Sequence, residues 1–211
     1  MLNVRIEALV AKYPDLEVCI DDINDALQLL KNSFRSGGKL LICGNGGSAS
    51  DCEHIVGELM KGFMTRRLLS KDKREVFTQM YGEQGHYLAD HLQGALPAIS
   101  LVSHTSLITA YSNDVASDMI FAQQVYGLGV RGDIVMGIST SGNSRNVLHA
   151  LQVARVMGLQ TIGLTGKSGG LMAEVSDVII RVPWESTPDV QERHLPIYHV
   201  LCMLLEEEFF Q

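Results

Sequence analysis

The chain of 211 residues lacks the cysteine pattern of a disulfide-rich or zinc-knuckle protein. Its four cysteines, Cys19, Cys43, Cys52 and Cys202, are scattered and form no CxxC pair. This spacing argues against a disulfide framework and against a thiolate metal site. We therefore expect reduced thiols that are mostly buried.

Long apolar runs and basic runs are missing as well. The N-terminal sequence (MLNVRIE) brings an acidic residue early and has no uninterrupted apolar stretch, so neither a signal peptide nor a membrane span is predicted. A net charge of −7 without any basic run argues against a nucleic-acid surface. With 46% apolar and 19% charged residues, we expect one substantial core, a single domain and a cytoplasmic location.

The hydrophobic pattern is helical first and then alternates. Residues 4–34 repeat apolar positions at spacings of three and four and end at Gly37 and Gly38, which predicts a long N-terminal helix that Pro14 interrupts. Helical segments then separate five short apolar runs, at residues 39–43, 98–102, 133–138, 161–164 and 178–182. This order indicates an α/β fold with an open parallel five-stranded sheet flanked by helices. A final helix is predicted over residues 189–210.

Residues 65–93 interrupt the alternation of strands and helices. This segment is polar and mixed in charge, with Tyr81 and Gly82 at its middle. We interpret it as an inserted helical segment or lid within a single domain that covers residues 1–211.

Two loops are predicted at the carboxyl ends of strands, where open parallel sheets bind ligands. Residues 139–144 (STSGNS) place hydroxyl side chains between a strand and a helix, where free backbone N–H groups and the positive end of the helix dipole favour an anion. Phosphate is the expected ligand. Residues 44–48 (GNGGS) either bring backbone amides close to an anion or sugar, or form only a tight turn.

A second kind of signal follows the first loop. His54 and Glu58 are four residues apart, so they project from one helix face and could bind one metal ion, although a surface hydrogen bond gives the same spacing. Near the other end of the chain, Gln191 and His199 place polar groups on a helix that is otherwise apolar. A lone histidine in such a helix is usually a core residue with its hydrogen bonds satisfied.

In combination, these motifs resemble those of a sugar isomerase (SIS) domain and, more closely, those of the bacterial sedoheptulose 7-phosphate isomerases, also called phosphoheptose isomerases. The residues that carry the resemblance are residues 44–48, His54, Glu58, residues 112–114 (SND), 139–144, 163–166 (GLTG) and 191–199. The resemblance implies an aldose-ketose isomerase that converts sedoheptulose 7-phosphate to D-glycero-D-manno-heptose 7-phosphate, the first step toward the heptose of surface polysaccharides. It also implies a zinc-dependent homotetramer with active sites at subunit interfaces.

The resemblance further implies a role for each matching residue. The ligands of one Zn²⁺ per active site would be His54, Glu58, Gln191 and His199. The substrate would be bound by Asn45, Gly46, Gly47, Asn113, Asp114, Ser139, Thr140, Ser141, Ser144 and Gln191. Isomerisation moves a carbon-bound proton through an enediolate, so Glu58 is expected to be the base and His199 the partner acid, with zinc as a Lewis acid.

One distance constrains this ligand set. On one straight helix Gln191 and His199 would be about 12 Å apart along the axis and would point about 80° apart. Either Pro196 breaks the helix, or a neighbouring subunit supplies one ligand. We prefer the second hypothesis, which predicts an obligate oligomer.

Two other functions remain open at this point. One is a non-catalytic SIS protein, either a sugar-phosphate sensor or a protein that binds the replication initiator. The other is an isomerase of a different sugar phosphate, or an amino-sugar enzyme of the same superfamily. The presence of all four metal-ligand types favours catalysis, because the resemblance associates them with the enzymes.

Overall fold

The computed structural model describes residues 4–210. Its eight α-helices are α1 (Val4–Lys12), α2 (Ile20–Arg35), α3 (Gly47–Met60), α4 (Lys71–His91), α5 (Thr105–Asp114), α6 (Ile120–Leu128), α7 (Arg145–Val156) and α8 (Thr187–Phe210). Its five strands are β1 (Leu40–Gly44), β2 (Ala98–Ser100), β3 (Ile134–Ser139), β4 (Gln160–Thr165) and β5 (Val178–Arg181).

The five strands form one parallel sheet in the order β2-β1-β3-β4-β5. The predicted α/β fold is therefore confirmed. From β1 the chain moves to β2 on one side and later returns to β3 on the other side. The loops after β1 and β3 consequently diverge at the carboxyl edge of the sheet, and this crevice is the ordinary ligand site of such folds.

Alternation along the strands divides the core into two layers. In β1, Leu40 and Ile42 lie on one face, in the same core layer as the buried side chains of α1, α2, α3 and α8. Leu41 and Cys43 pack on the opposite face, against α6 and α7. Both faces are covered, which explains why the central strands are almost continuously apolar.

The terminal helices respond differently to their prolines. The predicted interruption at Pro14 is present, because a 3₁₀ turn at Pro14–Cys19 separates α1 from α2. A break at Pro196, one of our two alternatives, is wrong: α8 runs without interruption through this residue. The apolar face of α8 that follows, including Ile197 and Leu201, is buried in the core, and this packing holds the helix together across the proline.

The segment over residues 65–93 is largely helical, as predicted. Helix α4 folds back on itself at Gly82, whose φ of 56° and ψ of −128° are not helical. The guanidinium of Arg74, on the first arm, donates to the carbonyl of Ala89 on the second arm at 3.1 Å. Its function as a lid stays a prediction.

All four cysteines are free and buried, as expected. Burial raises the pKa of the Cys19, Cys43 and Cys202 thiols to about 12. Within residues 4–210, no helix is long and apolar enough to cross a membrane.

Candidate active site

The loop at residues 139–144 lies between the end of β3 and the start of α7. The hydroxyls of Ser139 and Ser144 are 2.9 Å apart, and the N–H of Asn143 donates to the hydroxyl of Ser141 at 3.2 Å. Ser144 precedes the first residue of α7 but makes no side-chain hydrogen bond to the helix end. The Val147 N–H in the first turn donates to the Asn146 side chain at 3.0 Å, which leaves the N–H groups of Arg145 and Asn146 to face an anion at this loop.

The loop after β1 lies directly beside the first loop. The side-chain amides of Asn45 and Asn146 donate to each other, with both hydrogen bonds at 2.9 Å. Asn146 belongs to the first turn of α7, so this pair ties the β1 loop to the helix that follows the phosphate-binding motif. The two predicted loops thus form one continuous edge.

A cavity of about 310 Å³ opens between these two loops and the beginning of α8. Its lining residues are Asn45, Gly46, Gly47, Ser48, Ile138, Ser139, Thr140, Ser144, Thr187 and Gln191. Seven of our ten predicted substrate residues are among them. The lining is mostly hydroxyl, amide and backbone groups, which suits a polyhydroxylated ligand that carries an anionic end.

Gln191 faces Gly47 across this cavity. A Cβ atom built on Gly47 would lie 2.5 Å from the Gln191 Nε2. Only glycine therefore lets the amide of Gln191 lie at the start of α3. The backbone of Gly47 is helical and would accept any residue. The close approach of the Gln191 side chain is therefore what explains a glycine at this position.

Farther along the same pair of helices, His54 and Glu58 on α3 face His199 on α8. The Nε2 of His54 is 3.4 Å from a Glu58 carboxylate oxygen, and the rings of His54 and His199 are 5.2 Å apart between centroids. The ammonium of Lys61 donates to the other Glu58 oxygen at 2.9 Å. The predicted convergence of residues from distant parts of the chain is thus present in a single chain for His54, Glu58 and His199.

Tyr198 orients the ring of His54. Its hydroxyl lies 3.0 Å from the His54 Nδ1 and donates to the Asp51 carboxylate at 3.2 Å. The Tyr198 hydroxyl thus contacts Nδ1 of His54 and leaves the Nε2 of the same ring facing the Glu58 carboxylate.

His199 is half-buried, and its Nε2 is buried without a hydrogen-bond partner. Burial and the neighbouring His54 lower the pKa of His199, so the neutral imidazole is favoured. The ring of Phe63 lies 5.3 Å away and shields one side of it. A buried, neutral and unpaired imidazole nitrogen is suited to act as a ligand or to exchange a proton.

Comparisons with known proteins agree on the family. A family model described as SIS domain matches residues 16–94 and 88–166. The phosphoheptose isomerase of Rhodospirillum rubrum is 41% identical over 189 residues, which cover 90% of this chain and 87% of that protein. That of Synechocystis sp. is 40% identical over 206 residues and covers 98% and 92% of the two chains. The chain belongs to the phosphoheptose isomerase family of SIS domain proteins.

Solved structures of phosphoheptose isomerases share this fold. GmhA from Neisseria gonorrhoeae matches with a TM-score of 0.74 and 32% identity, over 96% of this chain and 94% of the other. The phosphoheptose isomerase from Francisella tularensis matches with a TM-score of 0.75 and 30% identity over the same shares. The resemblance inferred from the sequence motifs is therefore confirmed.

Four of the predicted site residues of this phosphoheptose isomerase family member do not lie with the others in a single chain. Gln191 lines the cavity beside the phosphate loop, whereas His199 lies two turns farther along the same continuous helix. Asn113 and Asp114 end α5, hydrogen-bond each other, and are absent from the described lining of the cavity. Ser141, in the middle of the phosphate loop, is likewise outside that lining.

The three grouped residues suit a metal ion by their chemistry. Two imidazole nitrogens and one carboxylate are ordinary zinc ligands. The Nε2 of His199 has no hydrogen-bond partner, and the Nε2 of His54 faces the Glu58 carboxylate. As placed in residues 4–210, no three His, Cys, Asp or Glu side chains are yet spaced to hold an ion together. The donor set fits the zinc that the resemblance implies.

Sequence reasoning missed several residues of this site. Tyr198 orients His54, Asn146 holds Asn45, and Thr187 lines the cavity. Thr187 had a local signal, since a Thr-Pro pair is a typical helix start. Tyr198 and Asn146 act through residues far away in the sequence, and no local pattern marks them.

Proposed function

We propose that this protein isomerises sedoheptulose 7-phosphate to D-glycero-D-manno-heptose 7-phosphate. The observation that carries the proposal is the arrangement of an anion-binding loop and a carboxylate-imidazole group along one pair of helices. Relatives that bear the name phosphoheptose isomerase, at about 40% identity over most of the chain, support the same reaction.

The phosphate would be held by the loop at residues 139–144 and by the N-terminal end of α7. From Gly47, at the cavity, α3 leads to His54 seven residues later, which is about 10 Å along the helix axis. An extended seven-carbon sugar phosphate is long enough to span this distance. Binding energy at the phosphate would then orient the carbonyl end of the sugar.

Glu58 would act as the base and His199 as the acid. Moving the carbonyl from C2 to C1 requires removal of a proton from C1, an enediolate, and return of a proton to C2. The Glu58 carboxylate would transfer that proton between the two carbons. The imidazole of His199 would supply a proton to the oxygen at C2 and regain one from the hydroxyl at C1, so that no net proton is consumed. Their shared location on facing sides of α3 and α8 supports this division of roles.

We propose that His54, Glu58 and His199 bind zinc, with Gln191 as the fourth ligand. When bound, the ion would polarise the sugar carbonyl and stabilise the developing negative charge. Gln191 of the same chain lies two turns from His199, so we retain the hypothesis that subunits share their active sites.

We further propose a homotetramer, and Asn113 and Asp114 are the residues we expect a neighbouring copy to bring into use. A tetramer has a native mass of four chains, which light scattering measures directly. A fully active monomer in dilute solution would contradict shared active sites. The cytoplasmic location stays a prediction.

The decisive experiment combines metal analysis with an assay of sedoheptulose 7-phosphate turnover by wild type and Glu58→Gln. We expect bound zinc in the wild type and a fall in kcat of about 10² to 10⁴ in the variant, the usual contribution of a general base. Glu53→Gln is the matched control, because Glu53 lies on the same helix but bonds Ser103 on its exposed side.

Each alternative function predicts a different result. A Glu58→Gln variant that keeps the wild-type rate would show that another residue is the base. A protein that binds ketose phosphates and turns over none of them would be a sensor. Turnover of a different sugar phosphate in preference to the heptose would reassign the substrate and keep the chemistry.

A further inference from the structure

Arg67 and Glu206 form a fully buried ion pair beside the C-terminal end of α3. The Arg67 Nε is 2.9 Å from a Glu206 carboxylate oxygen, and the two side chains are 0% and 1% exposed. Removing two charges from water has a large desolvation cost, and apolar side chains of similar volume often give a fold equal or greater stability. Stability alone is therefore a weak explanation for this pair.

Arg67 connects the pair to the helix that carries Glu58. Its Nη2 donates to the backbone carbonyl of Glu58 at 2.9 Å, and its Nη1 donates to that of Leu59 at 2.6 Å. Both carbonyls belong to the last turn of α3, where the helix offers no N–H groups of its own. The guanidinium also lies at the negative end of the helix dipole. Arg67 thus fixes the turn from which the Glu58 side chain projects.

Glu206 connects the pair to the helix that carries His199. The two residues are seven apart on α8, so they project from nearly the same face. The Glu206 carboxylate also accepts hydrogen bonds from the backbone N–H groups of Phe63 and Met64, both at 2.8 Å. The Phe63 ring is the one that lies against His199. Glu206 therefore holds the loop after α3 in place, and with it the Phe63 ring that packs against the His199 imidazole.

We propose that Arg67 and Glu206 are positioning residues that hold Glu58 on α3 at a fixed separation from His199 on α8. The inference rests on the proposed isomerase function. An acid and a base that act on adjacent atoms of one substrate need a fixed geometry, and a displacement of about 1 Å can cost about 100-fold in rate. Neither residue is among those lining the cavity at the phosphate loop. Their loss should therefore affect kcat rather than KM.

Arg67→Lys tests the proposal directly. Lysine keeps a positive charge near Glu206, but its single ammonium cannot reproduce the forked hydrogen bonds to two helix carbonyls. We expect kcat for sedoheptulose 7-phosphate to fall about 10- to 100-fold with KM close to the wild-type value. Arg66→Lys is the matched control, since the adjacent Arg66 is exposed and donates to the Asp90 carbonyl at 2.6 Å. It should keep the wild-type kcat.

A second variant tests the proposal even if Arg67→Lys does not fold. Arg67→Met combined with Glu206→Gln leaves no buried charge and keeps an oxygen that can accept from the loop N–H groups. We expect this double variant to fold, as judged by circular dichroism and cooperative unfolding, and to show the same selective loss of kcat.

Several results would overturn the proposal. A folded variant of either design with the kcat of Arg66→Lys would do so, as would a raised KM with unchanged kcat. Failure of both variants to fold would assign the pair a purely structural role. Absence of turnover by the wild-type protein would instead refute the isomerase function, and the positioning role with it.

Discussion

Gly47 shows how one missing side chain shapes the cavity. Because its Cβ would lie 2.5 Å from the Gln191 Nε2, any larger residue must displace that amide. The displaced group is the flexible end of a side chain, so the fold can accommodate the change. The effect should appear in ligand binding and leave folding largely unaffected.

We predict that Gly47→Ala raises KM for sedoheptulose 7-phosphate about 3- to 10-fold, the equivalent of one hydrogen bond. The free energy of unfolding should change by less than about 1 kcal/mol, since alanine suits the first turn of a helix. In a Gln191→Ala background the substitution should have no further effect on KM, because the two residues act through one contact. Independent, additive effects in this cycle would contradict the interpretation.

At the level of single residues, the sequence predicts what is local. The serine-rich loop could be located because hydroxyl residues and glycine between a strand and a helix have one common use. The roles of Tyr198 and Arg67 could not be predicted, because each depends on a partner more than one hundred residues away, Asp51 and Glu206 respectively. A buried arginine looks like any surface arginine in a sequence.

The hairpin formed by α4 depends on one backbone conformation. Gly82 adopts a φ of 56° with a ψ of −128°, a combination that residues with a Cβ avoid. The arms it joins make few apolar contacts, since among residues 71–91 only Gly85 and Ala89 are buried. The turn therefore has little other support.

We predict that Gly82→Ala lowers the free energy of local opening of residues 71–91 by about 1 to 3 kcal/mol. Amide hydrogen exchange should show faster exchange in these residues and unchanged exchange in the sheet. Gly127→Ala, a helical glycine on α6 with open space around it, is the control and should be neutral or stabilising. Faster exchange throughout the sheet would show that the hairpin is part of the global folding unit.

Whole elements were predictable where burial and pattern coincide. The five strands were found because runs buried on both faces are continuously apolar. The continuity of α8 across Pro196 was not predictable from the local sequence, because tertiary packing of Ile197 and its apolar neighbours outweighs the local cost of a proline. The register that places Gln191 against Gly47 likewise follows from helix packing, which short motifs do not encode.

For the molecule as a whole, His194 makes stability depend on pH. Its ring is fully buried on α8, and burial lowers the pKa of His194 to about 4, despite an opposing interaction with the Thr165 backbone. The unfolded chain takes up a proton on this residue below about pH 6.5, whereas the folded chain does so only near pH 4. The contribution of His194 to the free energy of unfolding is therefore fully present above about pH 6.5 and is lost as the pH drops toward 4.

We predict that the free energy of unfolding of the wild type decreases by about 2 kcal/mol between pH 7 and pH 5 through this residue. His194→Leu should remove most of that decrease, as measured by chemical denaturation at both pH values. His86→Leu, at an exposed position on α4, should leave it unchanged. An equal slope in the His194 variant and the wild type would contradict the assignment.

The complete burial of all four cysteines has a practical consequence. Burial raises the pKa of all four thiols, so they do not react with maleimides at neutral pH and the native chain is silent toward such reagents. Val156, 89% exposed at the end of α7, can then be replaced by cysteine to carry a single dye per chain. The number of photobleaching steps from an individual particle would then equal the number of chains in that assembly.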